Sequence, residues 1–173
     1  MAMYTAVNFS FNLKDSTPES VKALIYLLFN DEDSVTPELY AEFIDEPFFS
    51  HENFREIGWC TDCHFDDYKK SELTKDNHLT LITSTGGISY GDLYRLFLRW
   101  LVPYIDDSES SLIGYLHHEC GLAYYILSVK DEKLQECLSS DLNPDFDPNY
   151  AVYSWPLFPL ESPHQYENYA IDN

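Results

Sequence analysis

With 173 residues, 30 Asp and Glu against 10 Lys and Arg, the chain carries a formal net charge of −20 and a sequence pI of about 4.3. That sign repels phosphate backbones and anionic membrane surfaces, so direct nucleic-acid or membrane binding is not expected and a basic partner is. The length predicts one domain burying roughly two thirds of its unfolded surface, and a hydrophobic content of 45% with 14 Tyr and 11 Phe excludes a disordered acidic chain.

Tyr4 to Leu13 alternates, with Val7, Phe9, Phe11 and Leu13 on one face and Asn8, Ser10 and Asn12 on the other, the period of a half-buried strand. Ser16-Thr17-Pro18-Glu19 combines a capping hydroxyl, a first-turn proline and a Glu three residues after Ser16, which predicts a helix start. Val21, Leu24, Ile25 and Leu28 then recur at three and four, one apolar stripe against a core. The acidic stretch beyond Asn30 holds a predicted short helix over Pro37 to Phe43, followed by Pro47-Phe48-Phe49. Ile57 to Phe65 reads as the second strand and His78 to Ser84 as the third, closed by the turn residues Thr85-Gly86-Gly87. From Ser89 to Val102, Leu93, Leu96, Phe97, Trp100 and Leu101 keep helical spacing until Pro103 stops it. Leu112 to Leu116 and Leu122 to Val129 flank His117-His118-Glu119-Cys120-Gly121 as a hairpin, and Asp131 to Leu138 is predicted as a short helix. Five prolines, Pro144, Pro148, Pro156, Pro159 and Pro163, then interrupt an irregular aromatic and acidic tail.

The predicted order is β-α-β-β-α-β with one extra C-terminal strand. This is an α+β fold, an antiparallel sheet with two main helices on one face in the ferredoxin-like arrangement. Residues 1–138 are expected to form the domain, with an acidic insertion at 30–56, and 139–173 an irregular tail packed on it. Such a topology serves many unrelated functions, so function has to be read from sites.

The acids are clustered. Lys14 to Glu56 holds 11 acids and three bases, Asp131 to Asn173 nine acids and only Lys133, while Ile57 to Lys130 holds 10 acids and six bases. The densest run, Asp31, Glu32, Asp33, Glu38, Glu42, Asp45 and Glu46, contains no base and is the candidate partner-binding surface. On an α-helix, carboxylates at the spacing of Glu38, Glu42 and Glu46 lie about 6 Å apart, near twice the 3.4 Å rise per strand of DNA phosphates. Asp45-Glu46-Pro47 threatens to end that helix before Glu46.

Trp59-Cys60-Thr61-Asp62-Cys63-His64 is the most conspicuous short motif. A c-type haem attachment needs export and a haem pocket, and neither is signalled. A thioredoxin-like dithiol needs a helix after the first Cys, whereas Asp62, Asp66 and Asp67 raise thiol pKa values here. A zinc site needs two further ligands, which Cys120, His117 or His118 at the hairpin tip could supply if strand pairing brought the hairpin alongside, but there is no second closely spaced Cys pair and adjacent strand residues face opposite ways. The expectation is therefore structural, reduced thiols at Cys60, Cys63, Cys120 and Cys137, with no metal and no cofactor. His64, His78 and His164 read as ordinary surface or strand positions. Asn143-Pro144-Asp145-Phe146-Asp147-Pro148-Asn149 resembles half a calcium loop but has Pro148 where the loop needs Gly and Ser154 where it needs Glu.

The tail carries Tyr153, Trp155, Leu157, Phe158, Tyr166 and Tyr169. It is expected to cover the open sheet face, with a partner-binding or homodimerising arm, contacting through Trp155 and Phe158, as the competing use. No leader or membrane span is read, since the longest apolar run, Ala23 to Phe29, is far short of a span, so the expected location is cytoplasmic. The function expected from these features is non-enzymatic. The acidic run occupies the basic site of a nucleic-acid-handling protein, as acidic anti-defence inhibitors and immunity proteins do; the analogy is of composition and not of sequence. A zinc or redox protein built on Cys60 and Cys63, and an acidic scaffold with no mimic role, are the alternatives.

Overall fold

Alternation in the first strand decides which face of the sheet becomes the core. The computed structural model describes residues 4–58, 70–86, 89–106, 108, 112–118 and 124–139. Strand β1 (Tyr4–Asn12) lies between β3 (His78–Gly86) and β4 (Leu112–His118). Beyond β3 comes the short edge strand β2 (Lys70–Leu73), and beyond β4 come β5 (Tyr125–Lys130) and β6 (Lys133–Leu138). All six pair antiparallel in the order β2-β3-β1-β4-β5-β6.

Val7, Phe9, Phe11 and Leu13 enter one apolar cluster with the stripes of α1 (Glu19–Asn30) and α2 (Ser89–Leu101). Val21, Leu24, Ile25 and Leu28 of α1 are buried as their spacing requires. In α2, Tyr94 and Leu98 join Leu93, Phe97, Trp100 and Leu101 in the core, while Leu96 is only partly buried. The start of α1 differs from expectation. Pro18 occupies the cap position and no side chain caps the helix. The chain enters through a tight turn in which the Thr17 amide donates to the Lys14 carbonyl at 2.9 Å, and the Thr17 hydroxyl is buried with no hydrogen-bond partner among the described residues.

Two further expectations are corrected. Ile57 and Gly58 belong to a 3₁₀ turn over Phe54–Gly58, with Ile57 wholly buried, and the second strand among the described residues is Lys70–Leu73. Residues 59–65 lie outside the described residues. Ile57 is apolar because it plugs the core from a turn, whereas β2, a short edge strand only half-buried on one side, has a single apolar residue, Leu73. Asp131 to Leu138 is not helical. Lys133–Leu138 forms β6, so among the described residues two strands and not one extend the sheet beyond β4.

The turn into β6 explains the error. Asp131 and Glu132 have φ of 51° and 55°, the left-handed pair of a two-residue hairpin that normally uses Asn and Gly. Left-handed backbone costs a residue with a Cβ roughly 1–2 kcal/mol. Asp131→Asn with Glu132→Gly is therefore expected to raise the melting temperature by several degrees. It does so although it deletes the 3.3 Å contact of Glu132 with Lys14, because an exposed ion pair contributes at most about 1 kcal/mol. Thermal denaturation followed by circular dichroism checks this, and an unchanged or lower midpoint refutes it.

Arg95 ties the added hairpin to α2. Its Nε and Nη2 donate to the two carboxylate oxygens of Glu136 at 2.6 and 3.1 Å, and its guanidinium lies 5.0 Å from the centre of the Tyr125 ring. A fork-to-fork pair over an aromatic face suits Arg and not Lys.

The second face of the sheet carries Asn8, Ser10 and Asn12. Register places Ile82 of β3 and Tyr115 of β4 opposite Asn8, then Ile126 opposite Tyr115 and Cys137 opposite Ile126. Leu112, Tyr115, Tyr124 and Ile126 form a small apolar cluster there, with Cys137 packed against it.

Candidate functional site

The acidic segment follows α1 and is organised by its aromatic residues. No α-helix forms over Pro37–Phe43. Amide bonds spanning three residues, from Leu39 to Thr36, Phe43 to Tyr40, Glu46 to Phe43 and Phe49 to Glu46, give a chain of 3₁₀-like turns with one regular piece at Ala41–Phe43. Three residues per turn bring residues i and i+3 to the same side, which suits Tyr40 and Phe43. Pro37 and Pro47 limit the length of any regular helix here. The i,i+4 spacing argument for Glu38, Glu42 and Glu46 thus loses the helix on which it rests.

What the segment has instead is an anchor. Phe48, fully buried, stacks on Trp100 at 5.7 Å and meets Phe49, Phe54 and Phe97 at 4.9, 5.9 and 5.3 Å between ring centres. Tyr40 stacks on Phe49 at 5.2 Å and Phe43 meets Trp100 edge-on at 5.5 Å. Offset and edge-to-face pairs of this kind each add about 0.5–1.5 kcal/mol beyond area burial. The aromatics that punctuate the acidic run therefore form one wall of the main core, and the carboxylates are held on its outer side.

Asp31, Asp33, Glu38, Glu42, Asp45 and Glu46 are exposed and Glu32 is half-buried. Among the described residues none of the seven forms an ion pair, whereas in the later acidic block Glu132 pairs with Lys14 and Glu136 with Arg95. Arg55, the one base between residues 31 and 56, has its guanidinium over the Phe54 ring at 5.6 Å. The hydroxyl of Thr36 donates to Glu38 and, with a backbone amide, holds that carboxyl below the usual range, so it stays ionised under mild acid. Glu42 and Glu46 share one neighbourhood, since both act on the Tyr104 phenol, whose pKa is raised by partial burial first and then by these two charges. Glu32 and Asp33 lie on a 3₁₀ turn over Glu32–Ser34, with Asp31 at its N-cap position, that packs against α1 and the Phe54–Gly58 turn. Leu39 and Ile44 are 43% and 53% exposed among these acids, so the surface is apolar as well as charged.

The residues considered for metal or redox chemistry are not brought together in what is described. Cys60, Cys63 and Cys120, with the Cys60–His64 motif, lie outside the described residues, as do the loop at 143–149 and Trp155 and Phe158 of the tail. His117 is buried on β4, its ring 4.6 Å from that of Tyr124, which in turn meets Tyr115 edge-on at 5.1 Å. Cys137 is half-buried on β6. Among the described residues no group of three or more His, Cys, Asp or Glu is placed to hold a metal ion, and no helix is long and apolar enough to cross a membrane.

No family model, no curated protein and no solved structure matches this chain. The site therefore has to be judged on its own geometry.

One cluster escaped the sequence reading. His78, read as an ordinary strand residue, has both ring nitrogens engaged by side chains of β1, Ser10 at 3.0 Å and Asn12 at 2.8 Å. Only strand register puts these three together, with Asn12 opposite His78 and Ser10 opposite Thr80, and no local pattern announces it.

Proposed function

We propose that this protein acts by binding, using Asp31, Glu32, Asp33, Glu38, Glu42, Asp45 and Glu46 to occupy a basic surface of a nucleic-acid-handling protein, as an inhibitor of the anti-defence or immunity-protein kind. The platform is read as a ferredoxin-like sandwich extended by the β5–β6 hairpin, carrying the acidic segment between α1 and β2. The observation that carries the proposal is the asymmetry of neutralisation. These carboxylates have no basic partner among the described residues, yet their backbone is clamped to the core by Phe48, Phe49 and Trp100. A surface ordered before binding loses less conformational entropy on association than a flexible acidic tail. Leu39 and Ile44 supply the desolvated contacts that charged rims lack. No chemical step occurs at this surface.

The test is a titration against the basic protein that co-purifies from the native cell, with and without a competing DNA duplex. Affinity is expected to fall steeply with salt and to be competed by DNA. Reversing Glu38 and Glu42 to Lys should weaken binding about tenfold or more, mainly through slower association, since long-range steering is lost. Ile44→Ala should instead speed dissociation and leave the salt slope unchanged. Salt-insensitive binding, or binding indifferent to the Glu38 and Glu42 reversals, rules the reading out.

A further inference from the structure

We infer that Ser10 is an activated nucleophile, its hydroxyl held by the His78 imidazole and that imidazole by Asn12, competent to accept an acyl group from a small carboxylic ester. The site lies on the second face of the sheet and is independent of the acidic segment.

With the Asn12 amide oxygen facing the ring, one tautomer of the neutral imidazole fits. His78 Nδ1 is 2.8 Å from Asn12 Oδ1, and an amide oxygen only accepts, so Nδ1 carries the ring hydrogen. Nε2 of the neutral ring then presents its lone pair to Ser10 Oγ, 3.0 Å away, and the hydroxyl donates. Nucleophile, base and orienting group are thereby connected within hydrogen-bond reach, the connectivity that hydroxyl activation requires. Side chains two apart on β1 share a face, and His78 reaches both because it sits opposite Asn12 and diagonal to Ser10.

The base is also held still. The His78 amide donates to Thr74 Oγ1 at 3.1 Å and its carbonyl accepts the Thr74 amide at 2.9 Å. The Asn77 carbonyl of the same turn accepts the Leu13 amide at 2.9 Å, which fastens the turn to the end of β1. Charged groups act on the ring from β2. Partial burial, then Lys70, hold the imidazole below the ordinary histidine range, and Glu72 pulls the other way. The neutral, proton-accepting form is therefore the one present at pH 7. Ser10 is only partly buried among the described residues, and the inference requires that a small acyl donor reach its hydroxyl.

In the reaction Ser10 Oγ bonds to the ester carbonyl carbon as its proton passes to His78 Nε2. The bond from that carbon to the leaving alcohol breaks, and the alcohol takes the proton from Nε2. Water then attacks the acyl-serine while His78 accepts a proton from it. The acid leaves, Ser10 recovers its hydrogen, and the sum is ester plus water giving acid plus alcohol, with no change of oxidation state.

The experiment exposes the purified full chain to p-nitrophenyl acetate and, separately, to a fluorophosphonate, with modified residues located by peptide mass spectrometry. Site-resolved detection separates Ser10 from Cys137, which an activated ester also acylates. Ser10 is expected to react about 100-fold faster than the other serines, the lower end of what a positioned base supplies. His78→Gln should remove at least tenfold of that rate, and Ser10→Ala should abolish modification of its peptide. Asn12 is a positioning residue, and Asn12→Ala should slow the reaction by a smaller factor while moving its pH profile. Ser10 reacting like the other serines, or at an unchanged rate in folded His78→Gln, overturns the inference. Should His78→Gln fail to fold, the wild-type profile decides. A rate that falls with pH through a pKa below the ordinary histidine value supports the inference, and one that only tracks hydroxide refutes it.

Discussion

Replacing Phe48 by Ala is expected to cost about 3–5 kcal/mol, the usual range for deleting a fully buried aromatic ring. For a chain of this size that lowers the melting temperature by roughly 6–20 °C. Phe48 is chosen because it touches Phe49, Phe54, Phe97 and Trp100 at once, two of them on the acidic segment and two on α2. The ring is therefore the point at which the segment is fastened to the core. Its loss should show in two measurements, thermal denaturation and the rate of limited proteolysis within residues 31–56. Affinity for the basic partner should fall even though no charge has changed, since ordering the segment then opposes binding. Phe48→Leu keeps most of the apolar volume and should retain most of both stability and affinity. Trp100→Phe is a useful companion, because Trp100 Nε1 is buried with no hydrogen-bond partner among the described residues, and removing an orphaned N–H offsets part of the lost area. A wild-type midpoint together with unchanged proteolysis for Phe48→Ala would show that the aromatic contacts do not hold the segment.

The second large effect is at Gly114. Its φ is +140°, and β4 shifts register between Leu112 and Gly114, the mark of a bulge. A Cβ there would lie 2.0 Å from the Asn8 carbonyl oxygen and 2.9 Å from the Phe9 Cα. Those atoms belong to the backbone of the central strand and cannot rotate aside. Gly114→Ala is expected to cost about 4 kcal/mol or more, combining an unfavourable φ with a main-chain clash. The midpoint should drop by about 10 °C or more. The damage should be localised first, with amides of β4, β5 and β6 losing hydrogen-exchange protection before those of β1 and β3. Uniform loss of protection across the sheet would show that β4–β6 do not open as a separate unit.

Much of the fold is written in local periodicity. The alternation of Val7, Phe9, Phe11 and Leu13, the stripe Val21, Leu24, Ile25 and Leu28, and the spacing Leu93, Phe97, Trp100 and Leu101 each need one element and one core, and each is where its pattern places it. The hairpin of β4 and β5 is legible for the same reason. The acidity of the candidate surface is likewise a property of composition alone, present before any folding.

What only the tertiary structure decided depends on partners distant in the chain. Lys70–Leu73 is a strand because β3 lies beside it, not because four residues alternate, and Ile57 is apolar for a turn buried under α1 rather than for a strand. Lys133–Leu138 became β6 because Leu127 lies opposite Glu136 and Val129 opposite Leu134, and no Gly or Asn announced its turn. The helix expected at Pro37–Phe43 gave way to 3₁₀-like turns because Tyr40, Phe43, Phe48 and Phe49 gain more by reaching Trp100 and one another than a short, proline-flanked helix gains in hydrogen bonds. The Ser10–His78–Asn12 cluster joins positions 68 and 66 residues apart. Sequence determines which side chains exist and how each short segment wants to coil, whereas contacts between distant segments are set by strand register and packing, which have no local signature.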